Sequence, residues 1–126
     1  MKINTKILTR MPLLAAVVGL LLAGHASAQS FTSLHEFSPL YGNFDTNTDG
    51  ARPLAGLAIS ANTLYGTTTV GGDWGEGTVF AVNTDGSSFT NLHSFTRMSS
   101  ISSNATNSDG ATPVAGLMLS GTTLYG

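Results

Sequence analysis

Cysteine is absent from the 126 residues, so no disulfide staples the fold, even in an oxidising compartment that would permit one. Stability has to come from packing and strand pairing. Charge is sparse as well, with Asp, Glu, Lys and Arg together making up 10 % of the chain. After residue 28 the only cations are Arg52 and Arg97, against seven acidic residues. Binding to nucleic acid needs clustered Lys and Arg to displace counterions from phosphates, and an anionic membrane surface needs a basic patch. Neither is an expected partner. No stretch after Ala28 keeps apolar residues at helical spacing, while Gly, Ser, Thr and Asn are abundant, and this predicts an all-β class with many turns. Gly-x-Ser-x-Gly, Gly-x-Gly-x-x-Gly and P-loop strings are also missing, which removes the usual signatures of hydrolases and nucleotide binders.

The N-terminal residues divide into a basic zone with Lys2, Lys6 and Arg10, an apolar run from Met11 to Gly24, and the stretch His25-Ala26-Ser27-Ala28. This is the layout of a secretory signal peptide over residues 1–28, cleaved after Ala28 to leave Gln29 as the new N-terminus. The apolar run is short for a bilayer span of about 20 residues, so no membrane insertion is expected after cleavage. Export to the periplasm, the cell surface or the extracellular space follows.

The rest of the chain repeats itself. Phe31–Phe37 (FTSLHEF) matches Phe89–Phe95 (FTNLHSF) at five of seven positions, and Asp49–Gly66 matches Asp109–Gly126 at twelve of eighteen. The first pair is offset by 58 and the second by 60, so the second connector is two residues longer, as a surface loop tolerates. The organisation expected is a partial unit over residues 29–48, a full repeat over 49–95, a connector over 96–108 and a truncated repeat over 109–126.

One unit reads as four strands: Leu54–Ser60, Thr63–Thr69, Thr78–Asn83 and Phe89–Phe95. Ala61-Asn62 separates the first two at hairpin spacing, and the second copy has Gly121-Thr122 there, which suits a turn with positive φ at its first central residue. Gly71–Gly77 is a glycine-rich loop, and Thr84-Asp85-Gly86 is a turn. Phe31–Phe37 would be the fourth strand of the preceding unit. Gly56 and Gly116, inside the first strand of each copy, mark close approach of another backbone or a bulge. Four antiparallel strands repeated at this length resemble a blade of a β-propeller.

The string LYGTTTVGGDWGEGTVFAVNTDGSSFTNLHSF, Leu64 to Phe95, resembles the GloVer-type tandem repeat of bacterial surface and secreted proteins. The motif runs in order, from Leu-Tyr-Gly-Thr-Thr through a double glycine, Gly-Thr-Val-Phe and Asp-Gly to Leu-His-Ser-Phe. This resemblance implies a repeat architecture and a bacterial, exported location, and it implies no chemistry. Members of that family carry many copies ahead of varied C-terminal anchors. Here the sequence ends at Tyr125-Gly126, so a truncated product with fewer than two repeats is expected. A ring of typically about four to eight blades could not close, and about three units are needed to bury a continuous core. Such a piece would not fold stably alone and would self-associate through exposed strand edges.

Three constellations could carry chemistry. Asp45, Asn47 and Asp49, followed by Gly50, match the opening half of a calcium loop, which sets oxygen ligands on alternate residues. The closing bidentate Glu is missing, since position 56 is Gly, and the other reading is a tight turn capped by Asn and Asp side chains. Trp74, the only tryptophan, lies between Asp73 and Glu76. An exposed aromatic flanked by carboxylates suits stacking on a sugar ring and hydrogen bonding to its hydroxyls, the alternative being a loop whose Trp74 folds onto its neighbour. As a glycosidase pair, Asp73 and Glu76 would need a controlled spacing that a flexible loop does not provide. His35 and His93 recur at one position of the repeat without a partner nearby in sequence, which points to packing.

The reading that follows is a non-enzymatic exported repeat module, a cell-surface scaffold or adhesive platform for a surface ligand or glycan. It needs no cofactor, with calcium the one candidate. The alternative is a fragment of a propeller-type polysaccharide hydrolase or lyase.

Overall fold

The computed structural model describes residues 30–99 and 105–126. The export signal expected over residues 1–28 lies outside them. Short runs rich in Thr, Val, Phe and Tyr, the residues that pack best on a pleated surface, pair in chain order into one antiparallel sheet. Its strands are β1 (Ala58–Ser60), β2 (Thr63–Thr68), β3 (Thr78–Asn83) and β4 (Thr90–Ser94). The second copy forms a two-stranded sheet from β5 (Met118–Ser120) and β6 (Thr123–Tyr125). Among the described residues there is no helix, and the all-β class holds.

The two hairpins obey one register. Ala58, Ile59 and Ser60 face Tyr65, Leu64 and Thr63, and Met118, Leu119 and Ser120 face Tyr125, Leu124 and Thr123. Both turns have positive φ at the first central residue, 48° at Ala61 and 61° at Gly121. An L residue is strained there and glycine is not. Ala61→Gly should therefore stabilise the chain by about 0.5–1 kcal/mol, the relieved strain less the extra freedom of glycine in the unfolded chain. The midpoint of urea unfolding should rise with an unchanged denaturant slope, and a fall would show that the turn is not strained.

β1 is shorter than Leu54–Ser60, the span expected from sequence. Arg52 takes a φ of 56° just before Pro53, as Thr112 takes 51° before Pro113. Pro53 also lacks an N–H, and Gly56 resists extended order, so the ladder starts only at Ala58. Phe31–Phe37 forms no strand at all. Its counterpart β4 is paired to β3, whereas Phe31–Phe37 has no ladder partner among the described residues and is held by side chains instead. His35 stacks on Phe89 at 3.6 Å between ring centroids, and Phe37 meets Phe80 edge-on at 5.5 Å.

The core centres on β3, where Phe80, Ala81 and Val82 are buried, as a strand flanked on both edges should be. Beside them lies a polar layer. Thr68 and Thr78 are fully buried, and the Thr68 hydroxyl bonds the Thr78 hydroxyl at 2.8 Å, accepts from the Thr78 N–H at 3.1 Å and reaches the Val70 carbonyl at 3.0 Å. Burial of hydroxyls is tolerated because each is paired. β4 bulges opposite Val79 and Phe80, so Asn91 and His93 are in register and Leu92 is left half exposed.

The second copy sits directly against the first. The Thr112 N–H donates to the Glu76 carbonyl at 2.8 Å, the Thr67 hydroxyl donates to the Ala115 carbonyl at 3.4 Å, and β5 lies beside β1. A Cβ on Gly116 would sit 3.4 Å from the Gly56 carbonyl oxygen, and one on Gly56 would meet nothing within 4 Å, so the two backbones pass near each other outside the strands but leave room for a side chain.

Candidate ligand-binding cleft

An antiparallel meander places the β2–β3 loop and the connector that leaves β4 at one end of the sheet, opposite the tight β1–β2 turn. At that end Tyr41 and Thr46 exchange backbone hydrogen bonds of 2.9 and 3.1 Å, folding the first connector into a small hairpin whose tip carries Asn43, Phe44 and Asp45. The second connector starts the same way, with the Ser99 N–H donating to the Thr106 carbonyl at 2.8 Å.

Asn47 ties the first connector to the glycine-rich loop. Its amide nitrogen donates to the Ser38 and Gly50 carbonyls at 2.9 and 2.8 Å, and its amide oxygen accepts from Gly50 and Gly72 N–H at 2.8 and 2.9 Å. All four hydrogen-bonding positions of the amide are filled. Gly75, at φ 84°, comes so close to the Phe44 carbonyl that no Cβ would fit, which explains why the loop carries glycine there.

These contacts border an open cleft of about 520 Å³ lined by the connector tip, by Trp74 and Glu76 of the loop, and by Arg97 and Met98 of the second connector. The Arg97 guanidinium carbon lies 3.7 Å above the Phe44 ring and 5.9 Å from Trp74, within the range of a cation–π attraction. Trp74 keeps 47 % of its surface exposed. Of the residues singled out in sequence for ligand binding, Trp74 and Glu76 line the cleft together with Asp45, while Asp73 does not; its N–H points to the Ser94 hydroxyl. Phe44 and Arg97 carried no signal in the sequence, because they come from two connectors whose approach depends on the repeat-to-repeat contact.

The residues considered as calcium ligands fall in two places. Asn47 and Asp49 are engaged in hydrogen bonds, and Asp45 belongs to the cleft wall. Among the described residues no three His, Cys, Asp or Glu side chains gather as a metal site.

The histidine partners, unseen in sequence, are carboxylates of the next repeat block. His35 Nε2 lies 3.0 Å from Asp49, and His93 Nε2 lies 2.9 Å from Asp109. Asp49 also accepts from the Ser38 N–H at 2.9 Å and from the Ser38 hydroxyl, and Asp109 accepts from the Thr96 N–H at 3.1 Å and from the Thr96 hydroxyl. Burial pushes the Asp49 carboxyl up, but the Ser38 hydroxyl, the Ser38 N–H and His35 together outweigh it and hold the pKa below the ordinary value of 3.8. Asp109 is held low chiefly by the Thr96 hydroxyl. Each constellation contains the residue types of a catalytic triad, but serine or threonine and histidine bond the same carboxylate rather than each other. Each hydroxyl donates to the carboxylate and not to the imidazole, so the hydroxyl–imidazole–carboxylate relay of a triad is not formed, and the two constellations act as latches across the connectors.

With two aromatic faces, one cation and two carboxylates around an open cleft, the site is equipped to stack a ring and bond its polar rim. No family model, no curated protein and no solved structure matches the chain.

Proposed function

We propose that this chain is an exported, non-enzymatic repeat module of the GloVer type, with blade-like units in a propeller-like array, that serves at a bacterial cell surface as a binding platform for glycans. The observation that carries the reading is the cleft holding Trp74, Phe44, Arg97, Asp45 and Glu76. An aromatic ring offers a flat apolar surface to the C–H face of a pyranose, and neighbouring carboxylates and a guanidinium exchange hydrogen bonds with its hydroxyls. The reading is supported further by the polar rim on which the cleft lies, where connectors vary in length without disturbing the sheet. Self-association through exposed strand edges, such as that of β6, would multiply weak sites into an avid surface.

Trp74 is the only tryptophan, so its fluorescence reports on the cleft alone. Titration with plant and bacterial cell-wall oligosaccharides is expected to give a saturable change, and Trp74→Ala should weaken binding, measured by calorimetry, by about tenfold, the loss of one aromatic stacking partner. Release of new reducing ends during the same incubation would favour the polysaccharide hydrolase alternative instead.

A further inference from the structure

We propose that the cleft selects sugars bearing a single carboxylate, uronic acid residues, over neutral sugars, and that Arg97 reads the carboxylate. The proposal rests on the glycan reading of the same site. Arg97 is one of two cations after residue 28, and it is placed with one face of its guanidinium on the Phe44 ring at 3.7 Å. That contact covers one face of the guanidinium, and among the described residues no carboxylate pairs with its N–H groups. The ion pairs among the described residues are those of His35 and His93, and neither Asp45 nor Glu76 pairs with Arg97 although both line the same cleft.

A planar fork of N–H donors with no carboxylate of its own matches a ligand carboxylate in two parallel hydrogen bonds, which a neutral hydroxymethyl group cannot reproduce. Asp45 and Glu76 narrow the choice from the other side. They accept hydroxyl hydrogens from a sugar, and they disfavour a densely charged sulfated or phosphorylated chain, because each negative charge beyond the one met by Arg97 is brought toward two carboxylates with no further cation to pair it. One carboxylate among hydroxyls is the pattern that satisfies all three side chains. The position equivalent to Arg97 in the first copy is Pro39, so the cation is not a constant feature of the repeat.

The test is a calorimetric and Trp74-fluorescence titration of the full chain with a trisaccharide of two galactose residues and one galacturonate, and with neutral galactotriose. The acidic trimer is expected to bind about tenfold tighter, the value of one bidentate charged contact, and its affinity alone should fall as salt is raised. Arg97→Gln should bring the two affinities within about threefold of each other, and Arg97→Lys should recover part of the difference, because it keeps the charge but not the fork. Circular dichroism and the urea midpoint of both variants report whether the fold is kept. Equal binding of the two trimers, or an equal loss of both in Arg97→Gln, would overturn carboxylate selection while leaving a glycan site standing. Failure of every sugar to perturb Trp74 would overturn the glycan reading and this proposal with it.

Discussion

Gly50→Ala is expected to destabilise the chain by roughly 2–5 kcal/mol, the sum of a left-handed backbone strain of about 1–2 and an overpacking cost of about 1–3. Gly50 has a φ of 89°, and a Cβ there would lie 2.6 Å from the Thr78 hydroxyl and nearer still to that of Thr68. Neither threonine can step aside, because both are fully buried and hydrogen-bonded to each other. The chain contains its own control. Gly110 holds the same place in the second copy with the same φ of 89°, yet a Cβ on it would meet nothing within 4 Å. Gly110→Ala therefore carries the backbone strain alone and should cost about 1–2 kcal/mol. Urea unfolding of the two variants, followed by far-UV circular dichroism, separates the contributions. Equal losses would mean that the threonine layer yields, and that Gly50 is chosen only for its backbone angle.

Asp49→Ala is expected to cost about 2–3 kcal/mol, because it leaves the Ser38 N–H, the Ser38 hydroxyl and His35 without their charged acceptor in a half-buried setting. The same change at Asp109 should cost clearly less. The Asp109 latch is more open, with side-chain exposures of 46 % for His93 and 21 % for Asp109 against 23 % and 13 % in the first copy, so water replaces the lost acceptor more readily. The first latch also makes stability depend on pH. A carboxyl held below its ordinary value of 3.8 binds a proton more readily in the unfolded chain, so its contribution is complete above that value and disappears as pH falls through the lowered folded-state pKa. Comparing urea midpoints at about pH 5 and about pH 2 should show a loss in the parent that is reduced in Asp49→Asn. A pH response identical in both chains would sink the latch as the source.

Much of the local structure was legible in the sequence because it depends on near neighbours. The two-residue turns at Ala61-Asn62 and Gly121-Thr122 were marked by spacing and by glycine, and Thr78–Asn83 was marked by its run of β-formers. Gly56 and Gly116 suggested a close approach, and the backbones do pass near each other, but with room for a Cβ at both. Phe31–Phe37 was misread as a strand, since its composition matches β4 but pairing also requires an adjacent edge. The latches were invisible because His35 and Asp49 are separated by a connector, and histidine recurrence alone does not name a partner.

By itself, then, the amino-acid sequence determined the all-β class, the repeat and its hairpins, through β propensity, turn chemistry and the spacing of like residues. Tertiary structure alone decided which of those residues meet. It set Gly50 against the buried threonines, brought Asp49 to His35 and Ser38, and moved Arg97 over Phe44 beside Trp74. Those encounters join segments far apart in the chain. The first two depend on how the first connector folds back on its own sheet and the third on how the second connector meets the first, and no local preference encodes that geometry.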